Sequence, residues 1–290
     1  MRSFILSTAI VFVALIGVAL RLAGGTDRDV ELLLETNDIA TLESAFGEWQ
    51  AKFETGELTE FHMRGGYRSF YELDAKAAAN LVAWAAAEPQ SYAAHAALGV
   101  YLDHVGLKWR GTGYVGTVSN ARLVIAGKYF AEARAELEKS LGLTPKPYMS
   151  LFYLLQIAMQ TGDRTLADNS LAMANAMVPS NRLVRGRYAI GLLPQWGGSY
   201  DKLHAFIDAT RDSGAEPAIV AELQAIEEND VATRLFRKGD MDGATAHFTQ
   251  ALELAKVTGG TVVTDFLAFS AMFACERLHQ SDYCGSQGET

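Results

Sequence analysis

Residues 148–179 read YMSLFYLLQIAMQTGDRTLADNSLAMANAMVP, and this stretch decides the fold. Apolar side chains recur with the i, i+3, i+4, i+7 spacing of one helix face, at Leu151, Leu154, Leu155 and Ala158. Gly162 can adopt the left-handed conformation that ends a helix, Asp163 can cap a second helix, and Pro179 prevents its continuation. One face of that second helix holds Ala167, Leu171 and Ala174. The stretch therefore predicts a helical hairpin that must pack on further elements.

The same residue types recur at a fixed distance along the chain. Ala133, Leu137 and Pro145 stand 34 positions before Ala167, Leu171 and Pro179. Partial copies occur elsewhere: His95, Leu98, Gly99 and Leu102; Ile190, Gly191, Leu203 and Ile207; Ala244, Phe248 and Ala251. Through these residues the region 90–258 resembles the tetratricopeptide-repeat (TPR) superfamily, whose signature is W-x2-L-G-x2-Y, then A-x3-F, then Pro. Ordinary amphipathic helices also give leucine and alanine at these spacings, and that alternative stays open.

The resemblance implies an all-α fold, a TPR-like right-handed α-solenoid of about four stacked helical hairpins. The uncharged segment 4–20 adds an N-terminal hydrophobic anchor helix to this expectation. We expect a signal-anchor or signal peptide (1–25), an N-terminal helical cap (26–89), TPR-like repeats (90–258) with an inserted loop (107–126), a C-terminal closing helix (259–280) and a disordered tail (281–290). Within the cap, Asp38 and Gly56 bound one helix with an apolar stripe, and Ala75–Ala87 is composed almost entirely of helix formers.

Composition bounds the possible partners. The chain has 290 residues, 49% of them hydrophobic, with 34 acidic and 25 basic side chains and a formal charge of −9. This balance argues against nucleic-acid binding, which requires a cationic surface that displaces counterions. The imbalance is steepest between Asp201 and Glu253, where a solvated acidic surface and an acidic docking face are both possible.

The N-terminal segment is apolar. Residues 4–20 contain no charge, follow Arg2 and precede Arg21, as in a cleaved secretory signal or an uncleaved single-span anchor. We expect an inner-membrane anchor with the helical domain in the periplasm; the alternative is secretion to the periplasm after signal cleavage. Cys275 and Cys284 are the only cysteines, so a structural zinc site is not expected. They form a disulfide in one interpretation, and in the other Cys275 is a buried small apolar residue.

The predicted insertion contains the most unusual run of the chain. Gly111-x-Gly113-x-x-Gly116 fits glycine-rich nucleotide loops, but no strand precedes it and no kinase motif accompanies it. We therefore interpret the glycines as hinges and expect neighbouring arginine and aromatic side chains to bind a carboxylate or a peptide backbone. Arg-Gly also precedes a tyrosine at residues 64–67 and at residues 185–188. The candidate partner-binding residues are Trp109, Arg110, Gly111, Gly113, Tyr114, Arg64, Tyr67 and Arg185. Ion pairing of these arginines with acidic residues, pinning the loop to the scaffold, is the alternative.

Three short elements resemble a bacterial family of TPR-like proteins without an established activity. They are Pro89-Gln-Ser91, the W-R-G-x-G-Y run at 109–114, and Trp196-Gly-Gly-Ser199. The similarity spans most of residues 30–212 and implies a fold without a mechanism. Trp196-Gly-Gly-Ser199 is itself interpreted as structural, with Pro194 ending a helix, the glycines turning the chain and Ser199 capping the next helix.

No catalytic or metal-binding constellation is evident in the sequence. The six histidines lack metal-ligand spacing, no G-x-S-x-G occurs, and we expect no cofactor. The sequence therefore favours a non-catalytic protein- or peptide-binding scaffold of the bacterial cell envelope. The alternative is an enzyme acting on a small anionic substrate, at a site built from the 103–119 region with Asp103, His104, Arg110 and Tyr114.

Overall fold

The computed structural model describes residues 27–111 and 115–257. This part of the chain contains twelve α-helices, two single-turn 3-10 helices and no strand, which confirms the all-α prediction. The helices are α1 Asp27–Glu35, α2 Ile39–Thr55, α3 Glu60–Arg68, α4 Ala75–Ala87, α5 Tyr92–Arg110, α6 Asn120–Ser140, α7 Tyr148–Thr161, α8 Arg164–Met177, α9 Leu183–Gly191, α10 Tyr200–Asp212, α11 Pro217–Lys238 and α12 Met241–Val257. The chain divides into two compact units, unit 1 ending at Leu166 and unit 2 beginning at Ala167. This division falls inside the region 90–258 that was predicted as repeats.

None of the twelve helices is both long enough and apolar enough to cross a bilayer. The predicted anchor at 4–20, the closing helix at 259–280, the tail at 281–290 and both cysteines lie outside the described residues.

The hairpin predicted from residues 148–179 is confirmed at its turn. Gly162 ends α7 with a φ of 74°, and its N–H donates to the carbonyl of Ala158. Asp163 then caps α8, because its Oδ1 accepts from the N–H of Leu166 at 3.0 Å. The burial of α7 differs from the prediction: every residue from Tyr148 to Ala158 is buried, not one stripe. A helix that is buried on all sides lies in the interior of a fold, and α7 packs against α3, α5 and α6.

Glycines allow α5 and α6 to pack closely in an antiparallel hairpin. A Cβ built on Gly99 would lie 2.5 Å from Cγ of Leu137 and 3.2 Å from the carbonyl oxygen of Ala133. About two turns later in α5, a Cβ on Gly106 would lie 2.7 Å from the ring of Phe130. Gly99 therefore faces Ala133 and Leu137, two of the residues whose types recur 34 positions later in the chain.

The connection between α5 and α6 is shorter than the predicted inserted loop at 107–126. Helix α5 extends to Arg110, α6 begins at Asn120, and a 3-10 turn occupies Val115–Thr117 between them. Ser119 starts α6, because its hydroxyl accepts from the N–H of Arg122. Much of the predicted loop therefore belongs to the two helices, because residues 107–110 continue α5 and residues 120–126 begin α6.

The other predicted helices of unit 1 form as expected around an aromatic core. Asp38 caps α2, Gly56 ends it with a φ of 83°, and α4 spans Ala75–Ala87 as predicted. The core contains Phe46, Tyr67, Phe70 and Trp84, and the rings of Phe46 and Tyr67 lie 5.2 Å apart in an edge-on arrangement. These contacts join α2, α3 and α4 into one hydrophobic layer.

Unit 2 contains a second closely packed hairpin, α11–α12. Ala244 and Phe248 of the predicted A-x3-F element pack with Ala232 in a buried cluster. The Trp196-Gly-Gly-Ser199 element is structural as predicted, with Gly197 at a φ of 80° and Ser199 capping α10. Gly198 admits no side chain, because a Cβ there would lie 1.8 Å from the carbonyl oxygen of Leu192.

Candidate functional site

The exposed Trp109 marks the end of the α5–α6 hairpin. Its side chain is 41% exposed although its backbone is tightly held. Arg122 reaches across from the first turn of α6, and its guanidinium donates to the carbonyls of Trp109 at 2.7 Å and Lys108 at 3.0 Å. A cation at the C-terminus of a helix also interacts favourably with the helix dipole. Residues 104–111 and 119–128 are here called the α5–α6 end.

A carboxylate from another part of unit 1 is bound at this end. Glu72, in the connection between α3 and α4, pairs with the ammonium group of Lys108 and lies 3.2 Å from Nε2 of His104. The hydrogen bond from Lys108 lowers the pKa of Glu72. Burial lowers the pKa of His104, whose ring stacks on Tyr71 with centroids 4.4 Å apart. Two successive residues, Tyr71 and Glu72, therefore both contact the same helix.

Beneath this exposed cluster lies a buried polar one. Asp103 has no exposed surface, and its Oδ2 accepts from Nε2 of Gln156 at 2.5 Å. The hydroxyl of Tyr153 lies 3.0 Å from that of Tyr71, so the buried cluster reaches the ring that stacks on His104. Burial raises the pKa of Tyr153 well above its usual value, and that phenol stays protonated at neutral pH. Polar contacts thus link α7 and α5 to the α3–α4 connection.

The predicted binding residues are not all brought together. Trp109, Arg110 and Gly111 lie at the α5–α6 end, where Nη1 of Arg110 donates to the carbonyl of Gly111 at 2.8 Å. Gly113 and Tyr114 fall outside the described residues. The guanidinium of Arg64 lies over the ring of Phe152, 5.3 Å from its centroid.

Two further candidates have structural positions. Tyr67 belongs to the core: it has no exposed surface, and burial raises its pKa well above the usual range. Arg185, in unit 2, is buried, and its guanidinium donates to the carbonyls of Pro179 and Asn181 at 2.6 and 2.9 Å. Tyr67 thus packs in the core and Arg185 donates to backbone carbonyls, while their role in binding a partner stays a prediction.

Sequence reasoning missed Arg122 and Glu72. Arg122 carried a weak signal, because it follows the capping residue Ser119 in the first turn of a helix that faces the end of α5. Glu72 carried none, since it precedes Lys108 by 36 positions and only the tertiary fold brings them together.

Three carboxylates lie together elsewhere in unit 1. Oxygen atoms of Glu31, Glu35 and Asp74 are within 4.8 Å of one another. Glu31 accepts from the backbone N–H of Asp74 at 3.0 Å, and Asp74 caps α4 by accepting from the N–H of Ala77 at 2.7 Å. Two of the three carboxylates therefore already support the start of α4, and this cluster gives no basis for assigning a metal.

The fold and the site define an all-helical protein in which the exposed and buried polar clusters both belong to unit 1. Residues 29–166 match the model of a protein family described as a domain of unknown function (DUF4034). The match ends at Leu166, where unit 1 ends, so the family segment and the compact unit share this boundary. No curated protein and no solved structure matches the chain.

Proposed function

We propose that this protein is a non-catalytic scaffold of the bacterial cell envelope that binds a protein or peptide partner at the α5–α6 end. The observation that supports this proposal is Trp109, a large aromatic side chain 41% exposed on a backbone fixed by Arg122. Exposed tryptophan and arginine side chains on a rigid element are typical of the residues that dominate binding energy in interfaces. The envelope location rests on the uncharged segment 4–20.

The finer architecture belongs to the same proposal. We propose that the hairpins form a TPR-like right-handed solenoid, supported by the packing of Gly99 against Ala133 and Leu137 and by the buried Ala244 and Phe248. Small residues at a helix–helix contact let the two helices approach closely. An experimental structure of the full chain tests this directly.

The enzymatic alternative has less support from the geometry. The Asp103 carboxylate has no exposed surface and binds Gln156, so a dissolved substrate does not reach it in this conformation. His104 stacks on Tyr71 and pairs with the Glu72 carboxylate, and Arg110 bonds its neighbouring carbonyl. These contacts favour a structural use of the polar residues.

Site-specific photo-crosslinking tests the scaffold proposal. A photoreactive phenylalanine analogue at position 124, where Val124 is 60% exposed on α6, should form a discrete adduct with a partner protein in membranes from cells that express the full chain. The same analogue at Val82, 51% exposed on α4, is the matched control and should not. Trp109→Ala should abolish the adduct at 124. Identical adducts at both positions, or an adduct that persists without Trp109, would refute a partner site at the α5–α6 end.

A further inference from the structure

Charge is segregated at the α5–α6 end. Residues 104–131 contain four basic side chains (Lys108, Arg110, Arg122, Lys128) and no acidic one. The rest of the chain has 21 basic and 34 acidic residues, a formal charge of −13. A cationic surface on an otherwise acidic protein attracts anionic ligands to that surface and repels cationic ones. The charge pattern therefore selects the sign of the ligand.

The structure already holds one anion there. The Glu72 carboxylate reaches Lys108 and His104 from outside the hairpin, and its side chain remains 70% exposed. It is an intramolecular example of the group that this surface binds. Because Glu72 is so exposed, its pairing with Lys108 contributes little stability and a competing carboxylate can replace it.

Two exposed lysines on neighbouring helices can bind carboxylates at this end. Lys108 lies in the last turn of α5 and Lys128 lies on α6, and both residues are exposed. Arg122 is excluded from this role, because its guanidinium already donates to the carbonyls of Trp109 and Lys108. Trp109, next to Lys108, adds an exposed aromatic surface.

We infer that the ligand of the α5–α6 end is an acidic segment of a partner protein with at least two carboxylates. This inference rests on the proposed partner site and specifies its chemistry. Lys108 and Lys128 bind the carboxylates, Trp109 contacts an apolar side chain, and the ligand displaces Glu72 from Lys108. Glu72 is therefore an internal competitor of the ligand.

Fluorescence anisotropy with defined peptides tests this inference on the full chain. The probe is a labelled peptide of three Glu-Leu-Glu-Phe units, and its matched control replaces every glutamate by glutamine. The acidic peptide should bind at least tenfold more tightly than the glutamine peptide, and raising the salt from about 50 to 300 mM should weaken it several-fold because exposed charges are screened.

Variants assign the binding to the site. The double substitution Lys108→Gln with Lys128→Gln should weaken binding of the acidic peptide about three- to tenfold, because two exposed ion pairs are lost. Lys202→Gln with Lys238→Gln removes two exposed cations from unit 2 and should change nothing. Glu72→Gln should strengthen binding about two- to fivefold, because it removes the competing carboxylate. A purely structural role of Glu72 predicts no gain.

Contrary outcomes are distinct from failure of the scaffold proposal. Equal binding of both peptides, or no saturable binding of the acidic one, overturns the acidic-segment inference even if the crosslink at position 124 forms. Binding to vesicles with about 30% phosphatidylglycerol, but not to the peptide, assigns the surface to lipid and overturns it as well. Self-association that depends on Lys108 and Lys128 would replace the peptide with a second copy of the chain.

Discussion

Replacing Gly99 with alanine should destabilise unit 1, although alanine is the better helix former. The new Cβ would lie 2.5 Å from Cγ and 2.7 Å from Cδ2 of Leu137, and 3.2 Å from the carbonyl oxygen of Ala133. Favourable carbon–carbon contacts are about 3.5–4.0 Å apart, so α5 and α6 must separate or Leu137 must leave its rotamer. Overpacking of this kind costs about 1–3 kcal/mol, against a gain of about 1 kcal/mol in helix propensity.

Gly127→Ala is the matched control in the same hairpin. No atom lies within 4 Å of a Cβ built on Gly127, so its substitution brings only the propensity gain of about 1 kcal/mol. The two alanine variants should therefore differ by about 1–3 kcal/mol in the free energy of unfolding, the cost of overpacking alone. Urea unfolding followed by tryptophan fluorescence measures this difference, because three of the four tryptophans (Trp49, Trp84, Trp109) belong to unit 1.

A second substitution checks the cause of the effect. Leu137→Ala removes the two nearest atoms that a Cβ on Gly99 would meet, so Gly99→Ala should cost less in that background than in the wild type, with a coupling of about 0.5–3 kcal/mol. If Gly99→Ala raised the urea midpoint as much as Gly127→Ala does, the proposed close approach of α5 and α6 would be refuted. Additive effects of the Gly99 and Leu137 substitutions would refute their contact.

Three further predictions follow from individual contacts. Arg122→Ala should destabilise unit 1 by about 1–3 kcal/mol and speed hydrogen exchange in the last turn of α5, because two charge-assisted bonds to its carbonyls are lost; unchanged exchange there would contradict this. Burial lowers the pKa of His104 below 6.5, so the folded chain binds fewer protons than the unfolded chain, and its stability should fall as the pH drops below about 6.5. His104→Gln should make the urea midpoint depend less on pH between pH 5 and 7.5. An unchanged pH dependence would exclude His104 as its source. Arg182→Met alone should cost unit 2 about 3–5 kcal/mol, because it removes the guanidinium that pairs with the buried Glu222 carboxylate at 2.6 Å, whereas Arg182→Met with Glu222→Leu should cost less in the same denaturation assay.

Local signals in the sequence were sufficient for the ends of several helices. Apolar spacing and the capping residues Asp38, Asp163 and Ser199 predicted where helices begin, because a cap acts on the N–H groups of its own first turn. Gly56 and Gly162 likewise predicted where helices end, through their left-handed conformation.

The same local signals could not predict the tertiary contacts. The buried stripe of α7 was underestimated because Ser150 and Gln156 look polar in sequence yet are buried and hydrogen-bonded. The glycines at 111–116 suggested a long inserted loop, although α5 and α6 continue up to its edges. Tyr67 resembled a ligand-binding residue because an arginine and two glycines precede it, and only the packing of Phe46 shows that it is core.

The connection between α3 and α4 gives the protein a short path from its surface to its interior. Tyr71 shares a hydroxyl contact with buried Tyr153, and Glu72, one residue later, reaches the exposed Lys108. Tyr71 and Glu72 are adjacent, so one peptide bond connects a contact with the interior of unit 1 to a contact at its surface. If the proposed ligand displaces Glu72 from Lys108, we expect the mobility of the Tyr153 ring to change as well.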